Sequence, residues 1–213
     1  MSKLRWGALG VAVLSVGLLA TPASAAKVVT KFRDKGATAI VTDCPASGPA
    51  GTKCIAFVAY ASKARFKEDG TVTAFASLGL DKYRVTLTDT GFTTRFVFGG
   101  FVDNVQLSVA DDLSSASASG VVPIEQCNAR GRNCTVTNYP VSFSLNANAP
   151  EDFFRDRSIQ KMGDCKILTR FNFRSRTADG TATVRGVTYP TTAAVPSSID
   201  FSAEKVVLKN CEG

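Results

Sequence analysis

A disulfide between Cys127 and Cys134 would set the pairing of the whole stretch from Ser115 to Asn146, because residues opposed across a hairpin have numbers of constant sum. With the two cysteines facing each other, one side of the ribbon opposes Ile124 with Thr137, Val122 with Tyr139, Gly120 with Val141, Ala118 with Phe143 and Ala116 with Leu145. The other side opposes Ser119 with Ser142, Ser117 with Ser144 and Ser115 with Asn146. A buried face, with large residues over small ones, separates from a solvated face, and a slip of one residue would mix them.

The prolines agree with this register. A disulfide needs its Cβ atoms about 3.8 Å apart, which suits a non-hydrogen-bonded pair. Stepping by two from Cys127 and Cys134 makes Pro123 and Pro140 non-hydrogen-bonded as well, so their missing N–H groups point out of the hairpin.

Residues 1–25 read as a secretory signal peptide: Lys3 and Arg5 provide the charged start, Trp6 to Ala20 is apolar, and Ala23-Ser24-Ala25 is a cleavage site. The apolar run is short for a membrane span, and no second one follows. Removing Lys3 and Arg5 lowers the formal charge from +7 to +5, since the segment holds no acid. The expected product is a single exported domain, 26–213, extracellular or periplasmic. All six cysteines lie in it, which reads as three disulfides.

Short β-branched and aromatic runs, broken by Gly, Asp and Asn, predict strands at 37–43, 54–67, 71–79, 83–89, 92–98, 103–109, 114–126, 134–146, 165–176, 181–189 and 199–210. Pro150 to Met162 is the exception, a helical turn or a loop. Asp69-Gly70 and Asp179-Gly180 are hairpin signals. A two-residue turn at the second opposes Phe173 with Gly186, Phe171 with Thr188 and Ser175 with Val184, and places Arg174 against Arg185. Cys44 and Cys54 close the loop Pro45 to Lys53, leaving Cys165 for Cys211, which requires the chain to cross over between Pro190 and Ser198. The fold class expected is all-β: an antiparallel β-sandwich, Greek-key or jelly-roll-like, of about ten strands, braced by disulfides.

The chain has no histidine, which excludes Ser-His-Asp and Cys-His catalysis in their usual forms and any zinc site needing imidazole. Asp89-Thr90-Gly91 matches the aspartic-protease tripeptide, but a second copy is missing, so it reads as a turn. Asp111, Asp112, Glu125, Glu151, Asp152 and Asp156 are the carboxylates from which a hydrolytic pair could be drawn. The loop 128–133 carries Arg130 and Arg132 between bonded cysteines, as a protease-inhibitor loop would. In 165–176 the even positions are Lys166, Leu168, Arg170, Asn172, Arg174 and Arg176, a mainly basic face, while Ile167, Phe171 and Phe173 at odd positions are expected to point inward, and Lys63, Arg65 and Lys67 alternate likewise.

These features lead to an expected non-enzymatic binding or surface-interaction protein. Its partner would be an anionic polysaccharide or other polyanion, held by Arg170, Arg174, Arg176 and Arg185. A histidine-free carboxylate hydrolase and a protease inhibitor are the alternatives. No cofactor and no metal site are expected.

Reduction is expected to destabilise the exported chain strongly. Loop entropy assigns about 2.5 to 3 kcal/mol to each short bridge and about 4 kcal/mol to the long one, as upper values. Denaturant unfolding with and without reductant measures this, and an unchanged midpoint would refute it.

Overall fold

The computed structural model of the protein describes residues 29–45, 47–68, 71–127, 133–209 and 211. Residues 1–25, expected to be a signal segment, and residues 128–132, with Arg130 and Arg132, lie outside the described residues. Within them there is no helix, and the strands are β1 (Val29–Thr42), β2 (Lys53–Glu68), β3 (Thr71–Thr88), β4 (Gly91–Asp103), β5 (Gln106–Val109), β6 (Ser115–Gln126), β7 (Thr135–Ala147), β8 (Asp152–Met162), β9 (Cys165–Val184), β10 (Val187–Pro190) and β11 (Ser197–Lys209). Every pairing is antiparallel, as expected. Hydrogen bonding runs unbroken along the order β4-β3-β2-β1-β11-β9-β7-β6-β5, with β8 and β10 paired to β9 as well. The layers are two halves of one sheet, which curls until β4 meets β6.

Period-two alternation decides what fills the interior. Ala37, Ala39 and Val41 of β1, Leu78 and Leu80 of β3, Val122 and Ile124 of β6, and Phe143 and Leu145 of β7 are buried in one cluster. Leu113, from the loop between β5 and β6, is fully buried in the same cluster, although its φ of 57° is costly for a side chain of that size.

The β6–β7 register is the one the cysteines dictate, from Ser115 opposite Asn146 to Ile124 opposite Thr137. Cys44 is bonded to Cys54, Cys127 to Cys134 and Cys165 to Cys211. The three bridges are consistent with an extracellular or periplasmic location. Among the described residues no helix is long and apolar enough to cross a membrane. The last strand returns to lie beside the first, and Lys209 opposite Lys166 brings Cys211 to Cys165.

Four local expectations are corrected. Asp179-Gly180 is not a turn: β9 runs straight through it, and Gly180 lies opposite Leu145. Glycine is needed because a Cβ there would sit 1.9 Å from the Ser144 carbonyl oxygen. The hairpin turns instead at Arg185-Gly186, whose φ values of 52° and 82° are both positive, as a two-residue turn matching the strand twist requires. Phe173 therefore faces Ser202 and Phe154, not Gly186, and Arg174 does not face Arg185. Pro150 to Met162 is mostly strand β8. The basic lead-in before residue 37 belongs to β1. The gap expected at 80–82 is continuous β3 with an irregularity at Lys82/Tyr83.

Gly180→Ala should cost at least about 2 kcal/mol, because backbone must move to admit the methyl group. Gly51→Ala is the comparison for positive φ without crowding. Urea unfolding of both measures it, and a near-neutral Gly180→Ala would contradict the close approach.

Candidate functional site

Six strands continue past the core as an open flap: β3 at 71–77, β2 at 62–68, β1 at 29–36, β11 at 200–209, β9 at 165–176 and β8 at 152–162. Strand parity carries through the whole flap, so its inner face continues the face that forms the core. Every lysine and arginine in these segments lies on that face, and every aspartate and glutamate on the other. One row, Lys67, Lys31, Lys205, Arg170 and Arg157, crosses five adjacent strands without interruption. Like charges directly opposed in a sheet are unfavourable.

The four arginines of the expected anion site separate into two places. Arg170, Arg174 and Arg176 share the cationic face, whereas Arg185 sits at the far turn, 5.2 Å over the Tyr139 ring. Arg174 lies between Phe201 and Phe153 and donates to both Glu151 carboxylate oxygens. Arg176 donates to the Ala149 carbonyl. Lys35 pairs with Asp111, and with Arg174–Glu151 this makes the two ion pairs among the described residues. Asp111 and Glu151 are held below the usual carboxylate range, chiefly by hydrogen bonds from Lys35 and Arg174 respectively. Lys35 and Arg174, near the core, are thus neutralised, and the outer rows are not.

The other carboxylates do not assemble into a cleft. Asp152 and Asp156 are on the acidic face, and Asp89 is in the β3–β4 turn, as read from the sequence. Glu125 and Asp43 each lie beside a disulfide, whose bonded sulfurs are not free to ligate a metal.

A concavity lies elsewhere, on the outer face of β5, β6, β7 and β9. It measures about 670 Å³, and no carboxylate lines it. The register places its side chains in two rows across the strands: Ser108, Ser117, Ser144 and Thr181, then Gln106, Ser119, Ser142 and Thr183. Neighbours are about 4.8 Å apart across strands and about 6.8 Å along them. Lys63 stands at one wall as the sole charged group of the lining. The serine pairs on the outer side of β6 and β7 were already in the sequence register; their continuation onto β5 and β9 was not, because it needs the order of strands in the sheet.

No family model matches the chain, and no curated protein does. Among solved structures it is similar to an acetoacetate decarboxylase-like enzyme from Sphingomonas wittichii RW1, at 8% identity and a TM-score of 0.34, over 87% of this chain and 93% of that one. It is also similar to the enduracididine biosynthesis enzyme MppR complexed with pyruvate, at 9% identity and a TM-score of 0.30, over 89% of this chain and 90% of that one. These scores assign no activity. The expected polyanion binder is corrected on the structure's own ground: the facing pair Arg174–Arg185 on which that site rested is absent from the register, and Arg185 lies away from Arg170, Arg174 and Arg176. For its hydrolase alternative, no carboxylate lines the concavity over β5, β6, β7 and β9, and the Arg130/Arg132 loop of the inhibitor alternative falls outside the described residues.

On the acidic face, burial raises the Asp34 carboxyl above its ordinary 3.8, opposed by the hydrogen bond from Ser62 and reinforced by Asp200. The folded state therefore holds this proton more tightly than the unfolded chain. Its stabilising contribution is complete below about pH 3.8 and is lost as pH rises through the folded value. Asp34→Asn keeps an acceptor for Ser62 without the charge, so it should raise Tm at pH 7, with the gain vanishing toward pH 3. Thermal melts across that range check the sign, and a lower Tm at pH 7 would refute it.

Proposed function

We propose that the groove over β5, β6, β7 and β9 binds a small, neutral, polyhydroxylated ligand of mono- or disaccharide size, in a protein exported through its signal segment. The observation that carries this reading is the double row of hydroxyl and amide side chains lining this concavity. Its volume of about 670 Å³ falls in the range of small-molecule sites. A hydroxyl donates and accepts at once, as a sugar hydroxyl does, so adjacent serines and threonines can match vicinal hydroxyls without burying a charge. Thr183 and Thr188 illustrate the fit, with their hydroxyl oxygens 2.9 Å apart across β9 and β10. Lys63 contributes one donor at the wall. A single cation does not select an anion over a neutral polyol.

Calorimetric titration with a panel of neutral mono- and disaccharides, and with their phosphorylated forms, tests the proposal. Ser119→Val/Ser142→Val should weaken binding of the best neutral ligand by about thirtyfold, equivalent to two hydrogen bonds at roughly 1 kcal/mol each. Tm should hardly move, since both positions face solvent on a strand. Binding by none of the sugars, or equal binding by the variant, would end the proposal.

A further inference from the structure

Among the described residues the flap is a sheet with two unpartnered faces of opposite charge. On the acidic face Phe32, Phe66, Phe75, Phe154, Phe171 and Phe173 surround Asp34, Asp200 and Glu204. Phe75 and Phe154 are 48% and 57% exposed, too much for an apolar surface meant to remain in water. On the cationic face the outer rows have no acid of their own. Acids and cations lie on the same strand lattice, so two flaps stacked at the usual sheet separation of about 10 Å can bring the acids of one onto the cations of the next.

We propose that the protein self-associates face to back, the cationic face of one copy covering the phenylalanine-rich acidic face of another. Pairing like face with like face is opposed on both sides. Two acidic faces would bring Asp34, Asp200 and Glu204 together, and two cationic faces would oppose the five-cation rows. Face-to-back contact relieves the like-charge rows and covers the phenylalanines with guanidinium groups. A contact of that kind exists within the flap, where the Arg155 guanidinium lies 4.8 Å from the Phe153 ring centre. Six strands over about eight residues present roughly 650 Å² per face. Two such faces exceed the roughly 1,000 Å² total expected of a specific interface. Because the two surfaces differ, the contact is heterologous and does not close on itself, so copies add in a stack. This assembly does not depend on the groove's ligand.

Sedimentation of the exported chain, from low micromolar concentration upward, tests it at about 0.05 M and about 0.5 M salt. At low salt the weight-average mass should rise past that of a dimer as concentration increases, and it should fall to the monomer at high salt. Lys31→Glu/Lys205→Glu changes only the cationic face and relieves like-charge contacts, so folding is preserved. Glu204→Lys/Asp156→Lys changes only the acidic face. Each variant alone should be monomeric, and an equimolar mixture should regain the stack, because each reversed face then meets its complement. A wild type that stays monomeric, a mass that stops at the dimer, or a mixture that fails to reassemble would overturn the proposal. So would undiminished association of the Glu204→Lys/Asp156→Lys variant, because the acidic face would then take no part in the contact.

Discussion

The ladder of β9 is the interaction on which the rest of the molecule depends. This one strand exchanges hydrogen bonds with four others: β8 and then β7 along one edge, β11 and then β10 along the other. The sheet is continuous because β9 does not stop at Asp179-Gly180. Its course there rests on a missing atom, since only glycine lets the backbone pass against Ser144. A turn at that point would have detached the flap from the hydroxyl-lined half of the sheet.

A continuous sheet propagates parity. Once β1, β2, β3, β9 and β11 are locked in register by buried positions such as Ala37, Ala61, Leu78 and Ile199, every residue beyond the core has its face assigned. The segregation of charge in the flap follows from that register. Rows of like charge cost stability in an isolated chain, and their arrangement without exception gives the flap two chemically distinct surfaces. The loop holding Leu113 marks the boundary, with its leucine in the core and Asp111 beside Lys35 at the rim.

The groove and the flap share only Lys63 and use opposite physics. In the groove, short uncharged side chains leave room for a guest. In the flap, long charged ones and phenylalanines present extended surface.

The amino-acid sequence by itself determined the all-β antiparallel class, the three disulfides and the β6–β7 register. Each follows from local chemistry: even cysteines, turn residues, and alternation between a wet and a dry face. It also showed the basic alternation in 165–176 and at Lys63, Arg65 and Lys67. Strand β8 escaped because both its faces are wet, so hydrophobic alternation is silent; its signal is charge, with Arg155, Arg157 and Lys161 on one parity and Asp152 and Asp156 on the other. The turn at Arg185-Gly186 lost to Asp179-Gly180 because turn propensity is local, whereas the need for glycine at 180 comes from a strand more than thirty residues away in the chain. Only the tertiary structure decided which strands lie side by side. That order turns scattered serines into a groove and scattered lysines into a row, because neighbours across a sheet are set by long-range hydrogen bonding that no single stretch of sequence contains.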